Sequence, residues 1–120
     1  MRILVVGGAG YIGSHMVKLL NQRGFEVTVL DNLSNGHRDA VRGARFVLGD
    51  LYEREILDDL FEETRFDGVM HFASYIQVGE SVREPAKYYR NNVFKTHLLL
   101  DAMIAHRVGH FIFSSSAAIF

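Results

Sequence analysis

Short apolar runs at Ile3–Val6, Val27–Leu30, Phe46–Leu48, Val69–Ala73 and Phe111–Phe113 punctuate the chain, each strand-sized and rich in Val, Ile and Phe. Runs of this kind, without polar alternation, predict strands buried on both faces. Between them the apolar spacing becomes helical. Ile12, Met16, Leu19 and Leu20 share one face of a first helix that Gly24 can end, and Ile56, Leu57, Leu60 and Phe61 share a face of a second. Pro85 suits a first helical position, and the pattern through Tyr89, Val93, Leu100 and Ile104 predicts a long third helix reaching about Gly109. Five strands alternating with helices predict an α/β fold with a parallel sheet, right-handed crossovers and ligand chemistry at the carboxyl ends of the strands.

Composition narrows the class. With 48% hydrophobic and 22% charged residues, the 120-residue chain has the make-up of one packed domain, and its single proline marks no linker. Thirteen basic residues against fourteen acidic ones leave a formal charge of -1, so there is no basic field for nucleic acid or an anionic membrane. No stretch approaches the roughly 20 apolar residues that span a bilayer. The absence of cysteine excludes thiolate metal sites and a disulfide framework, and it suits a reducing compartment, with the cytoplasm as the default expectation.

The chemistry begins at Gly7-Gly8-Ala9-Gly10-Tyr11-Ile12-Gly13, which follows the first strand and opens the first helix. Gly7 allows a tight turn, Gly10 lets a pyrophosphate approach the backbone, and Gly13 lets helix and strand pack closely. The helix N-terminus adds oriented N–H groups and partial positive charge. Asp31 ends the second strand, where its carboxylate can accept hydrogen bonds from an adenosine ribose and would repel a 2′-phosphate. This favours NAD over NADP on a Rossmann-type, doubly wound parallel sheet. The same aspartate, followed by Asn32, Ser34, Asn35 and Gly36, could also cap a turn.

Further segments carry a resemblance: Gly-Gly-Ala-Gly-Tyr-Ile-Gly-Ser-His (7–15), Asp-Asn-Leu (31–33), Gly-Asp-Leu (49–51), His-Phe-Ala (71–73), Val-Gly-Glu-Ser-Val (78–82), Pro85 with Tyr88-Tyr89 and Asn91-Asn92-Val93, and Phe-Ser-Ser-Ser-Ala (113–117). Taken in order, they make the chain resemble the extended short-chain dehydrogenase/reductases, and within them the UDP-glucose 4-epimerases. The resemblance implies cofactor contacts from Gly7, Gly10, Tyr11, Ile12 and Gly13 at the pyrophosphate, and from Asp31, Asn32 and Leu33 at the ribose. Ser34, Asn35 and Gly36 continue that loop. It further implies Asp50 and Leu51 at the adenine end, Phe72 and Ala73 at the rim of the fourth strand, Asn91 on the long helix, and Ser116 as a catalytic hydroxyl.

Several of these residues also have structural readings. Asp50 with Glu53 has capping-box spacing, and the sequence leaves its two roles open; Ser81 with Glu84 repeats that spacing and reads as a cap. Asn91 and Asn92 are weak helix formers, which points to a specific hydrogen bond. His71 reads as a partly buried hydrogen-bonding residue and not a general base. His106-x-x-x-His110 straddles a helix end without a third ligand and is read as no metal site.

The resemblance implies that NAD removes a hydride from C4 of a UDP-sugar and returns it to the other face, helped by a tyrosine base in a Tyr-x-x-x-Lys pair. Four positions after Tyr11, Tyr52, Tyr75, Tyr88 and Tyr89 stand His15, Ile56, Gly79, Asn92 and Val93, none of them lysine. The 120 residues are therefore expected to be the N-terminal, NAD-binding part of such an enzyme, an incomplete Rossmann domain without the substrate-binding lobe, ending on an exposed fifth strand and inactive alone. Loss of the base by itself would remove a factor of about 10²–10⁴ in rate. The resemblance also suggests a homodimer built on the long helix. A dehydratase would need acidic residues after the hydroxyl, where Ala117 and Ala118 stand. A noncatalytic NAD-binding remnant is the other alternative.

Overall fold

The computed structural model describes residues 1–7, 11–32, 43–72 and 85–113, with backbone alone for 11–12 and 85–92. The elements run β1 (Arg2–Val6), α1 (Tyr11–Gln22), β2 (Glu26–Asp31), β3 (Arg45–Leu48), α2 (Arg54–Glu63), β4 (Gly68–His71), α3 (Pro85–Ala105) and β5 (Phe111–Phe113). The strands form one parallel sheet of order β3-β2-β1-β4-β5. Residue alternation on the strands divides the core into two layers. Ile3, Val5, Val27 and Val29 pack with Val17 and Leu20 of α1. Leu4, Val6, Leu30 and Val69 face the other way, toward Leu57, Leu60 and Phe61 of α2 and Leu99, Ala102 and Met103 of α3.

Each expected strand is present, but burial is not uniform. β1 and β2 are covered on both faces, whereas Leu48 on β3 and Ile112 and Phe113 on β5 are exposed. Those two strands are the edges of the described sheet, so each lacks a neighbour on one side.

Helix α1 ends where its sequence predicts. Gly24 takes φ +82, its N–H bonds to Asn21 O at 3.1 Å, and the Phe25 N–H reaches back to Leu20 O at 3.0 Å. This paired bonding satisfies two carbonyls of the last turn. Within the helix, however, Leu19 is exposed and Val17 takes its place in the core.

Helix α3 corrects the sequence reading more strongly. It starts at Pro85 as expected, but it stops at Ala105, short of Gly109. The same terminating motif recurs with Arg107 in the left-handed position at φ 58: Arg107 N–H bonds to Ile104 O at 3.2 Å and Val108 N–H to Met103 O at 2.9 Å. The buried stripe is Leu99, Ala102 and Met103, while Val93 and Ile104 are among the most exposed apolar side chains. His106, just past the helix, bonds Asp58 Oδ1 at 2.9 Å and lies against the Phe61 ring, tying α3 to α2.

Candidate active site

The chain moves outward from β1 to β2 and β3, then crosses back over β1 to lay down β4 and β5. The order therefore reverses between β1 and β4, and in open parallel sheets the crevice beyond the carboxyl ends at that point takes the ligand. The residues at these ends are Gly7 after β1, Asp31 and Asn32 at β2, Gly49 and Asp50 after β3, and His71 and Phe72 at β4.

Gly7 has φ 83, a conformation that a Cβ would strain, and its N–H is fixed to Leu30 O at 2.8 Å. Helix α1 opens at Tyr11, four residues beyond Gly7, and Gly13 is buried in its first turn. A glycine turn feeding a helix N-terminus fits a pyrophosphate, because the ligand's charge meets unsatisfied donors and the positive end of the helix dipole.

Asp31 closes β2, and its backbone carbonyl accepts the Gly49 N–H at 3.0 Å, which draws the β3 end alongside. Gly49 is closely packed, since a Cβ there would come within 2.7 Å of Ile56 Cδ1 and 3.3 Å of Leu30 Cδ1, both of them side-chain ends. Asp50 follows directly. Its carboxylate Oδ2 accepts from Asn32 Nδ2 at 2.8 Å and from Lys95 Nζ at 3.4 Å, while Oδ1 lies 3.4 Å from the Tyr52 N–H. Partial burial opposes its ionisation, but the Asn32 amide, the Lys95 charge and the Tyr52 N–H outweigh that and hold the carboxyl below its usual range.

The structure places Asp50 ahead of α2 without making it the helix cap. Glu53 Oε1 does accept the Asp50 N–H at 3.0 Å, and Glu53 N–H bonds Asp50 O at 2.9 Å, but these close a turn before α2. The N-cap position is Glu53 itself, with no side-chain capping bond. The Asp50 side chain is engaged by Asn32, Lys95 and the Tyr52 N–H instead.

Leu51 and Phe72 are buried, the first in the α2–α3 layer and the second in the α1 layer, so their side chains support the rim from beneath. Gly10, Leu33, Ser34, Asn35, Gly36, Ala73 and Ser116 lie outside the described residues, as does the expected Ser81–Glu84 cap. Tyr11, Ile12 and Asn91 are placed in helices by their backbone.

Two residues that the sequence reading passed over belong to this edge. Lys95 sits between Asp50 and the Tyr52 ring, with Nζ 5.0 Å from the ring centroid. Thr96 Oγ1 lies 3.1 Å from His71 Nε2. The signal for both was helical periodicity, because Lys95 and Thr96 stand four residues beyond Asn91 and Asn92 and therefore on the same faces. His71 is more buried than expected, at 1% exposure, and its Nδ1 has no partner among the described residues. Burial, with a smaller contribution from the Lys95 charge, pushes its ring down to about 4.

A doubly wound parallel sheet whose order reverses beside a glycine turn, a helix N-terminus and a strand-ending aspartate is a Rossmann-type dinucleotide-binding fold. Comparison with known proteins carries this further. Residues 3–120 match the profile of the NAD dependent epimerase/dehydratase family, and the chain belongs to that family. It is 50% identical over 118 residues to UDP-glucose 4-epimerase of Halalkalibacterium halodurans, covering 98% of this chain and 35% of that enzyme. The crystal structure of UDP-glucose 4-epimerase from Brucella ovis in complex with NAD superposes with a TM-score of 0.87 at 51% identity, covering 93% of this chain and 34% of the other. The enzyme of Thermotoga maritima, crystallised with UDP-glucose, gives a TM-score of 0.86 at 40% identity over 94% and 37% of the two chains. The chain thus spans about a third of the length of these relatives and corresponds to their N-terminal, NAD-binding portion. The family's cofactor is NAD.

Proposed function

We propose that these residues form the NAD-binding part of a UDP-glucose 4-epimerase, and that Gly7, the α1 N-terminus, Asp31 and Asp50 are its cofactor contacts. The donor and acceptor chemistry of the edge supports the assignment. Helix N–H groups suit the pyrophosphate, and carboxylates at Asp31 and Asp50 suit the ribose hydroxyls and a base amino group, all acceptors facing donors. NAD supplies the hydride chemistry at sugar C4 when bound. The chain's own share would be to hold the dinucleotide, its pyrophosphate by Gly10, Tyr11, Ile12 and Gly13 and its adenosine ribose by Asn32, Leu33, Ser34, Asn35 and Gly36. Leu51, Phe72, Ala73 and Asn91 would be further cofactor contacts, and Ser116 the catalytic hydroxyl, as the family resemblance implies.

The reading extends to a homodimer with α3 in the contact, supported by the exposure of Val93 and Ile104 along its outer face. It also places the protein in the cytoplasm and in galactose metabolism. The single observation that carries the proposal is Asp31 at the end of β2 beside the left-handed Gly7, on a sheet of this order. The test is conversion of UDP-galactose to UDP-glucose by the protein at its natural length. Turnover without added NAD, lost when bound nucleotide is stripped and regained when NAD is returned, is the expected result. No conversion by NAD-loaded protein would overturn it.

A further inference from the structure

Lys95 reaches across 45 residues of sequence to the Asp50 carboxylate, and neither the fold nor the proposed contacts account for it. The α2–α3 layer is already held by Leu57, Leu60, Leu99 and Met103. An ion pair at 3.4 Å whose side chains are 25% and 24% exposed adds little to stability. What the pair does fix is geometry. Lys95 and Asn32 both engage Oδ2, and the Tyr52 ring gives the ammonium a second anchor at 5.0 Å. On Oδ1 the described residues place only the long 3.4 Å contact with the Tyr52 N–H, so that oxygen keeps lone-pair capacity for another donor.

We infer that Lys95 is a specificity-determining residue, which with Asn32 clamps the Asp50 carboxylate so that Oδ1 accepts from the exocyclic amino group of adenine. The inference rests on the reading of this edge as the NAD site. A carboxylate is acceptor-only, so it attracts an amino group and rejects a carbonyl oxygen at the same place. Clamping matters because a carboxylate free to rotate can turn away from a mismatched base. Two anchors on Lys95 place the charge before the ligand arrives and reduce the ordering cost of binding.

The probe pair is NAD and its hypoxanthine analogue, in which a carbonyl oxygen replaces the adenine amino group. Both are titrated into nucleotide-free protein of natural length, as wild type, K95M and K95R, with thermal melts confirming folding. Wild type is expected to prefer NAD by about tenfold or more, the worth of one charge-assisted hydrogen bond. K95M should bring the two affinities to within about threefold, while K95R, which restores charge and donors, should recover the preference. A merely structural lysine would weaken both ligands equally and leave their ratio unchanged, and that result in K95M would overturn the inference. If wild type binds neither dinucleotide, the NAD reading itself fails and takes the inference with it; if it binds NAD but shows no preference, only the inference falls.

Discussion

His71 Nε2 lies 3.1 Å from Thr96 Oγ1, joining the end of β4 to the middle of α3 through an imidazole that is 1% exposed. The ring lies tilted against Phe111 and Phe113 of β5, at centroid distances of 6.2 and 5.4 Å. A cation in that place has neither water nor a carboxylate partner among the described residues, which is why burial lowers the ring to about 4.

Stability should therefore fall as pH drops from about 6.5 toward 4. In that window the unfolded chain binds a proton on His71 that the folded chain refuses, and above it the contribution is complete. The full loss is about 3 kcal/mol from this group. Urea unfolding at pH 7.0 and 5.0 samples about 2 kcal/mol of it, because the folded ring is still mostly unprotonated at pH 5.0. In H71N, which cannot titrate here, the difference between the two pH values should shrink by most of that amount; an unchanged difference would show that other groups carry the acid sensitivity.

The two left-handed helix stops predict substitutions of opposite sign. At Gly24 a Cβ meets nothing within 4 Å, so G24A isolates backbone strain at φ +82 and should cost about 1–2 kcal/mol. At Arg107, φ 58 is already held by a residue with a Cβ, and R107G should stabilise by about 0.5–1 kcal/mol. Urea midpoints decide both, and a destabilised R107G would mean that the arginine side chain contributes more than its backbone costs.

Gly49 and Ile56 should be strongly coupled. G49A puts a Cβ within 2.7 Å of Ile56 Cδ1, the end of a partly buried side chain that can shift, so the overpacking cost falls at the low end, about 1 kcal/mol. I56V removes that methyl, so the double variant should be less destabilised than the sum of the single ones. A double-mutant cycle by chemical denaturation reads the coupling, and strict additivity would place the strain elsewhere.

The strands, the α2 stripe and both helix boundaries marked by Gly24 and Pro85 were legible in the sequence because each has a local cause: an apolar run, a helical period, a residue with restricted or extended backbone freedom. The α3 stripe was not. Its apolar positions support two faces, and which face is buried depends on where α2 lies, so Leu99, Ala102 and Met103 won over Val93 and Ile104. Its end was displaced because the αL position fell to Arg107, a residue type that gives no such warning. At the site, Gly7 and Asp31 follow from a motif contiguous with strands. The surroundings of Asp50 depend on partners distant in sequence, Asn32 and Lys95, which spacing alone does not reveal.

Asp31 is the residue on which the cofactor assignment turns, and titration of nucleotide-free protein with NAD and NADP, for wild type and D31A, tests it most directly. Wild type should bind NAD at least about tenfold more tightly than NADP, because the carboxylate accepts from the ribose hydroxyls and repels a 2′-phosphate, and D31A should weaken NAD while narrowing that gap. Wild-type protein that binds no NAD, or a D31A variant with both affinities unchanged, would contradict the account.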